Sequence, residues 1–187
     1  MPVRATTCAR PKSTARGGFS LLELLVVMGV LTMAVGMFSS TLVSTSRHSR
    51  MKHEMTLAAE AARGAMERMR SVPCSALFAT YNSLSGDDPG GAGLAPGENF
   101  QVPGLDPRAT DADGCVGRIF LPVIAGALRE DVVDTGLGMP RDLNGDSVVD
   151  AADHAGDYVL IPVHVRLEWK GVAGDSSFDL YNQFVKQ

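Results

Sequence analysis

The chain has 187 residues, of which 45% are hydrophobic and 20% are charged. This size and composition predict one folded domain with at most a small appendage. The formal net charge of −4 is unevenly distributed: residues 1–18 carry four basic side chains and no acid, whereas residues 72–187 carry 17 acids and 7 basic side chains. Because nucleic-acid binding needs a clustered positive surface, the acidic C-terminal part argues against a nucleic-acid partner.

An uncharged stretch of 23 residues, 24–46, follows the basic N-terminal segment. A helix of this length spans roughly 35 Å, which is enough to cross a hydrocarbon core of about 30 Å. A cleaved secretory signal would have a shorter apolar core, of about 7–15 residues, and a cleavage site after it. Since basic flanks stay in the cytoplasm, we predict a single membrane span with residues 1–18 in the cytoplasm and the rest exported.

A long helix is predicted to include this span, because no proline interrupts residues 19–72. Beyond the uncharged stretch, apolar side chains recur every three or four residues, which indicates one buried helix face. This stripe consists of Met51, Met55, Ala58, Ala62, Met66 and Met69. Pro73 should end the helix near residue 71. We expect residues 19–46 to lie in the membrane and residues 47–72 to pack on a globular domain at 73–187.

The C-terminal part is predicted to form a small antiparallel sheet. Residues 82–115 are rich in turn-forming residues and predict a loop with little regular structure. A strand is expected at 116–124, and the clearest β pattern lies at 158–169, where apolar and more polar residues alternate. A turn then leads into a second strand at 176–185. The predicted fold class is α+β, a long N-terminal helix packed on a small antiparallel sheet.

Two residues in the strand at 158–169 carry more specific expectations. Pro162 cannot donate to a β ladder, so it indicates that its strand has an unpaired stretch or lies at an edge. His164 falls on the side opposite the apolar row, and we expect it to be solvated.

The start of the apolar run reads RGGFSLLELLVVMGVL. A basic segment ends at Gly18, Phe19 follows, and Glu23 is the fifth residue counted from Phe19. These elements resemble the class III signal of the type IV prepilin family. An acid near a membrane-length apolar run costs on the order of 2.5–3.5 kcal/mol at the helix centre on insertion scales, so Glu23 should have a partner.

The resemblance implies a processing and assembly pathway for this chain. A prepilin peptidase of the membrane would cut after Gly18, release the leader 1–18, and methylate the new amine of Phe19. Glu23 would then pair with that amine in its own subunit or a neighbour and set the axial register of a fibre. The implied partners are other pilin or pseudopilin subunits, the peptidase and an inner-membrane assembly platform. The implied location is the bacterial inner membrane, with a periplasmic C-terminal domain, and then a pilus or pseudopilus.

A second motif, DLNGDSVVDAAD, occupies residues 142–153. It places oxygen ligands at the spacing that wraps a short loop around a hard cation such as calcium. These ligands are the side chains of Asp142, Asn144, Asp146, Asp150 and Asp153 and the carbonyl of Val148. The motif resembles the calcium loop of EF-hands and, more closely, of dockerin repeats, and some secretion pseudopilins hold a structural calcium in this part of the fold. Ser147 stands where the turn glycine is usual, and the alternative is a plain acidic turn.

The cysteines predict a disulfide in an oxidising compartment. Cys8 lies in the leader, which leaves Cys74 and Cys115 as an even pair. The alternative is two unpaired buried thiols. Catalysis is not indicated, because the four histidines show no zinc-site spacing and no nucleophile or phosphate-loop motif is present.

The resemblance to type IV prepilins, together with these patterns, implies a minor pilin-like structural subunit of a type IV pilus. A minor pseudopilin of a type II secretion system is the alternative within the same class. A stand-alone membrane-anchored calcium-binding module and an exported anchored enzyme are alternatives from other classes.

Overall fold

The computed structural model of the protein describes Gly18 and residues 20–186. The predicted leader up to residue 17, with Cys8, and the processing residue Phe19 lie outside the described residues. The described residues divide into two compact units, one up to residue 45 and the other from residue 46. Its elements are α1 (Leu21–Ser71), α2 (Cys74–Tyr81), β1 (Asn99–Phe100), β2 (Gly117–Phe120), β3 (Val123–Ile124), β4 (Ala127–Leu128), β5 (Leu160–Gly171) and β6 (Gly174–Val185).

The part of α1 in the first unit exposes apolar side chains on every side. Each Leu, Val, Met and Phe side chain from Leu21 to Val43 is between 54% and 83% exposed. An 18-residue window of α1 has a mean hydropathy of 2.3, and the helix is long and apolar enough to cross a membrane. Since exposed apolar surface of this extent marks a membrane or protein contact, it is compatible with a single-pass membrane anchor.

The hydroxyl side chains in this apolar part bond to their own helix. Thr32 donates to the carbonyl of Gly29 at 2.9 Å, and Ser39 donates to the carbonyl of Val35 at 2.9 Å. Thr45 donates in the same way to the carbonyl of Thr41. A hydroxyl satisfied within its own helix needs no water, which suits a helix surrounded by hydrocarbon.

In the second unit, the end of α1 packs through one face on an antiparallel sheet. The buried residues of the helix are Ala58, Ala62, Ala65, Met66 and Met69. Their spacing of three and four residues confirms a helical stripe, but its predicted first members, Met51 and Met55, are 40% and 44% exposed. Contact with the domain begins near Glu54, whose carboxylate accepts a hydrogen bond from Trp169 Nε1 at 3.4 Å.

The four-stranded sheet has the order β1-β2-β5-β6, and all neighbouring strands are antiparallel. Strands β3 and β4 form a separate two-stranded hairpin. The helix-facing row of β5 is the centre of the core, and each of its members is at most 1% exposed: Ile161, Val163, Val165, Leu167 and Trp169. A long N-terminal helix packed on a small antiparallel sheet confirms the predicted α+β fold.

His164 lies on the opposite face of β5. The prediction that it is solvated is wrong, because the residue is only 6% exposed. The strand register places Phe120 of β2 and Tyr181 of β6 directly beside it. The imidazole stacks between these two rings, at centroid distances of 5.3 Å and 4.2 Å. Asp179 binds His164 Nε2 at 2.6 Å and also accepts a hydrogen bond from Arg166 Nε at 2.7 Å. Flanking cross-strand rings therefore remove the imidazole from water.

Pro162 behaves as its chemistry predicts. Strand β2 pairs with β5 only from His164 to Leu167, so Pro162 lies beyond the end of β2 and has a partner strand on the β6 side alone. The N–H of Glu168 donates to the carbonyl of Val116, just before β2. Since N–H groups alternate between the two sides of a strand, the nitrogen of Pro162 also faces the β2 side, where the ladder has ended, and its missing N–H breaks no ladder hydrogen bond.

Asp179 should make the stability of the domain depend on pH at the acidic end. Partial burial raises the pKa of Asp179, but its hydrogen bonds with Arg166 and His164 outweigh this and lower the pKa below its ordinary value. A lowered folded-state pKa stabilises the fold above the unfolded value of about 3.9, and this stabilisation is lost as the pH falls through the folded-state pKa. Asp179→Asn should thus lower the free energy of unfolding near neutral pH, and the deficit should shrink below about pH 4.

The measurement is denaturant unfolding of the full chain in detergent, followed by the fluorescence of the single tryptophan, Trp169, which is buried. Asp175→Asn, at an exposed acid on the same strand, serves as the control. A deficit of equal size at every pH would contradict the assigned role of the Asp179 charge.

Candidate functional site

The loop at 142–153 is curled by its own side chains. Asp142 Oδ1 accepts a hydrogen bond from the N–H of Gly145 at 2.6 Å, and its Oδ2 accepts one from the N–H of Ser147 at 2.7 Å. These backbone donors lower the pKa of Asp142, the bond from Gly145 most of all. Ser147 has φ = 69°, a left-handed conformation that glycine adopts without strain. The turn predicted at the glycine position of the motif is therefore made by a serine.

The next two side chains repeat the pattern. Asn144 Oδ1 accepts from the N–H of Asp146 at 3.0 Å, and Asp146 Oδ1 accepts from the N–H of Val148 at 2.7 Å. The amide of Asn144 also donates to Asp146 Oδ2 at 3.2 Å. The two predicted ligands therefore lie together and hold successive turns of the loop.

The last two predicted side-chain ligands make different contacts. Asp150 Oδ1 accepts from the N–H of Ala152 at 2.7 Å. Asp153 Oδ1 accepts from the N–H groups of Leu128 and Ala155, both at 3.1 Å. Because Leu128 belongs to β4, Asp153 ties the end of the loop to the β3–β4 hairpin.

Glu130 is the residue that the sequence pattern did not reveal. Its side chain is completely buried beneath the loop. Glu130 Oε1 accepts from the N–H groups of Leu143 and Asn144, at 2.6 Å and 3.2 Å, and Oε2 accepts from the N–H of Asp150 at 3.3 Å. One buried carboxylate thus joins the beginning of the loop to its later part.

His154 meets Glu130 from the other side. Its Nε2 lies 3.1 Å from Asp150 Oδ1 and 3.8 Å from Glu130 Oε2, and its Nδ1 lies 3.2 Å from Asp157 Oδ1. Burial lowers the pKa of His154, but the hydrogen bonds to Asp150 and Asp157 and the charge of Glu130 outweigh it, so the pKa is raised. One ligand atom from each of Glu130, Asp150 and His154 lies within 4.8 Å of the other two. Of the predicted cation ligands, this group includes only Asp150.

The loop is also fastened to the sheet by its backbone. The carbonyl of Leu143 accepts from the N–H groups of Val159 and Leu160, at 2.8 Å and 3.0 Å. The N–H of His154 donates to the carbonyl of Leu128 at 2.9 Å. An ordered loop therefore helps to hold the start of β5 in place.

The predicted disulfide is not formed: among the described residues, Cys74 and Cys115 are both free and partly buried. Cys74 lines a groove with Val185, which pairs with Leu160, whereas Cys115 precedes β2, which pairs with β5 around Leu167. Seven residues of extended strand separate these two positions along β5, or about 23 Å. A disulfide joins Cα atoms about 4.4–6.8 Å apart. The two thiols thus lie at opposite ends of the hairpin.

Of the residues predicted for processing and assembly, the structure describes Gly18, which precedes α1, and Glu23, which lies in α1. Gly18 is exposed, and Glu23 is an exposed acid in the first helical turn. A carboxylate in the first turn also interacts favourably with the helix dipole.

No protein-family model and no solved structure matches the chain. Part of it is similar to part of the ATP-dependent zinc metalloprotease FtsH 3 of Synechocystis sp., at 34% identity over 76 residues, which are 41% of this chain and 12% of that protein. The chloroplastic FTSH proteases of Capsicum annuum and Medicago sativa are each 34% identical to it over 89 residues, 48% of this chain and 13% and 12% of those proteins.

The chain therefore spans about one eighth of the length of these relatives. His53 and Glu54 begin an H-E-x-x-H pattern, but Leu57 stands where its second histidine would be. A similarity over so small a share of those proteins carries no assignment of their proteolytic activity to this chain.

Glu130→Gln should destabilise the second unit by about 1–3 kcal/mol, because an amide group cannot accept hydrogen bonds at both of its ends and leaves a buried N–H without a partner. Denaturant unfolding of the full chain in detergent measures the loss. Glu67→Gln, at an acid exposed on α1, should change the free energy of unfolding by less than about 0.5 kcal/mol. A loss at Glu130 no larger than that of the control would show that the buried carboxylate does not brace the loop.

Proposed function

We propose that this protein is a minor pilin-like structural subunit of a type IV pilus, processed by a prepilin peptidase and assembled through its N-terminal helix. The observation that carries the proposal is the change in side-chain burial along α1. From Leu21 to Val43 its apolar side chains are exposed on every side, whereas from Ala58 to Met69 one face is buried on the sheet. The exposed apolar side chains would be covered by lipid before assembly and by the helices of neighbouring subunits after assembly.

The position of Glu23 supports assembly in addition to anchoring. A carboxylate at the start of a membrane-length apolar run is costly without a partner. Cleavage between Gly18 and Phe19 would create an amine four residues before Glu23, either in the same subunit or, in a bundle of such helices, in the next one. That ion pair would form only when neighbouring subunits are shifted along the fibre axis by one fixed distance. A regular fibre requires such a fixed shift.

Glycines in the exposed part of α1 favour the same conclusion. A side chain added at Gly29 or Gly36 would meet nothing within 4 Å. Small residues on a helix surface let the backbones of neighbouring membrane helices approach closely. These positions therefore suit contacts with other subunits.

The minor pseudopilin of a type II secretion system is the alternative within this class, because the same anchor and processing signal serve both machines. The loop at 142–153, which resembles calcium-binding loops, favours an alternative from another class, a stand-alone membrane-anchored calcium-binding module. Dependence on prepilin peptidase separates the classes, since only a pilin-like subunit needs that enzyme.

We further propose that the loop at 142–153 binds Ca²⁺ as a structural ion. Its donors are oxygen atoms, which calcium prefers, and the side-chain oxygens of Asp142, Asn144 and Asp146 already hold the loop curled by accepting its backbone N–H groups. Asp153 is engaged with β4 and Asp150 with His154, so these two predicted ligands would have to turn or use their second oxygens. An exported domain needs only weak affinity, on the order of 10⁻⁴ to 10⁻³ M.

The pilin proposal is tested by separating processing from assembly. Gly18→Val should keep the leader attached, because the bulkier residue stands at the cleavage site, and intact-mass analysis should find a chain that begins at Met1. Glu23→Val should be inserted and processed normally, since it makes the span more apolar, but its recovery in sheared filaments should fall strongly. Glu23→Gln should be less affected if a hydrogen bond to the amine suffices.

Glu60→Gln, at an exposed acid in the amphipathic part of α1, is the matched control and should assemble normally. A wild-type chain that retains residue 1 in cells with active peptidase would refute the proposed processing. Normal filament recovery of Glu23→Val would refute the register contact.

The calcium proposal is tested by thermal melting of the full chain in detergent, in EGTA and in millimolar Ca²⁺. Repulsion among the loop carboxylates opposes closure without a cation, so calcium should raise the melting temperature. Ligand at a hundred times its dissociation constant stabilises by about 2.7 kcal/mol. Asp146→Ala should abolish the increase, and Asp175→Ala should preserve it. An equal increase with magnesium, or in Asp146→Ala, would show that the loop is only an acidic turn.

A further inference from the structure

We propose that Glu130, Asp150 and His154 form a second cation site, which shares Asp150 with the calcium loop and takes a divalent transition metal of the zinc class. This inference does not rest on the pilus role or on calcium being bound. Glu130 and His154 contribute buried side chains, 0% and 5% exposed, whereas the side chain of Asp150 is 46% exposed. The group is therefore closed by protein on two sides and reached from solvent along Asp150.

The distances between the ligand atoms suit one small ion. His154 Nε2 lies 3.1 Å from Asp150 Oδ1 and 3.8 Å from Glu130 Oε2, and one atom of each residue lies within 4.8 Å of the others. Zinc binds nitrogen and oxygen at about 2.0–2.2 Å in a tetrahedron, which places its ligands about 3.3–3.6 Å apart. The two pairs that include His154 differ from this spacing by a few tenths of an ångström. The carboxylate oxygens of Glu130 and Asp150, which lie within 4.8 Å of each other, would have to close to the same spacing, and solvent would supply the fourth ligand.

The neighbours of the three ligands hold them in the orientation that a metal needs. His154 Nδ1 lies 3.2 Å from Asp157 Oδ1, which directs Nε2 at the two carboxylates. Metal-binding histidines usually make such a contact through their second nitrogen, and it fixes the tautomer of the ring. Glu130 Oε1 is occupied by the N–H groups of Leu143 and Asn144, so Oε2 is the oxygen that faces the histidine.

The charge of the group also calls for a cation. Within the part of the chain that the structure describes, the ion-pair partner of Glu130 is His154, and Asp150 has the same partner. A fully buried carboxylate is costly unless it is paired or binds a metal. Three backbone N–H groups already stabilise this carboxylate, and a proton on His154 or a metal ion beside it would add the positive charge.

The ligand types identify the class of metal. An imidazole nitrogen favours zinc, copper, iron or nickel, whereas calcium and magnesium prefer oxygen alone. Asp150 stands at the ninth position of the calcium loop, where the ion is often reached through a water. The loop could thus hold calcium while Asp150 turns its carboxylate to the second site, as it does toward His154.

The test uses the full chain in detergent, without a polyhistidine tag and freed of metal by EDTA. Titration with Zn²⁺ against a chelating indicator should show one equivalent bound, and Co²⁺ should give the visible absorption of a four-coordinate site. His154→Gln should lose this equivalent. Asp157→Asn should weaken binding by about 10–100-fold, as substitutions of such supporting carboxylates do. His48→Gln, at an exposed histidine on α1, should bind as the wild type does.

The calcium-loop variant Asp146→Ala keeps the two proposals separable, because it should lose the calcium effect on melting and retain zinc binding. A wild-type chain that takes up no equivalent of zinc would overturn the second site, whatever the folding of the variants. Zinc uptake that survives in His154→Gln and disappears in Asp146→Ala would also overturn it, because the ion would then lie in the loop.

Discussion

The packing of the Ala/Met face of α1 against the apolar row of β5 is the contact on which the rest of the second unit depends. Ala58, Ala62 and Ala65 are at most 1% exposed, and Trp169 closes one end of the row with its indole N–H on Glu54. Burying this row requires β5 to be central, with β2 and β6 on its two sides. The order of the sheet then decides what the opposite face of β5 meets, including the stacked rings around His164.

The loop at 142–153 depends on the same sheet, because its backbone is fastened to the start of β5 and to β4. Glu130 adds a buried carboxylate that accepts three backbone N–H groups of the loop. A carboxylate in such a place accepts strong, charge-assisted hydrogen bonds. The same negative charge makes the surroundings of His154 favourable for a cation. The support of the loop and the proposed binding site therefore share one side chain.

The two halves of α1 show how one helix serves two environments. Its hydroxyl groups are satisfied by their own backbone in the apolar half, whereas its amphipathic half uses small side chains where it packs on the sheet. The two halves differ in their apolar surface because their surroundings differ. Lipid or neighbouring helices require apolar side chains on all sides of a helix, whereas a sheet covers only one stripe of it. The proposed subunit, with an anchor and an exported domain, would require both.

The sequence by itself determined the features that follow from local periodicity and backbone chemistry. The helix end before Pro73, the alternation along β5, the gap in pairing at Pro162 and the turn at Ser147 all depend on residues close in the chain. Only the tertiary structure decided which side chains that are distant in the sequence lie close together in space. Glu130 lies twelve residues before the loop it braces, His154 gains its partners there, and the two cysteines are held apart by the hairpin. Such contacts have no sequence period, because they arise from how separate elements pack.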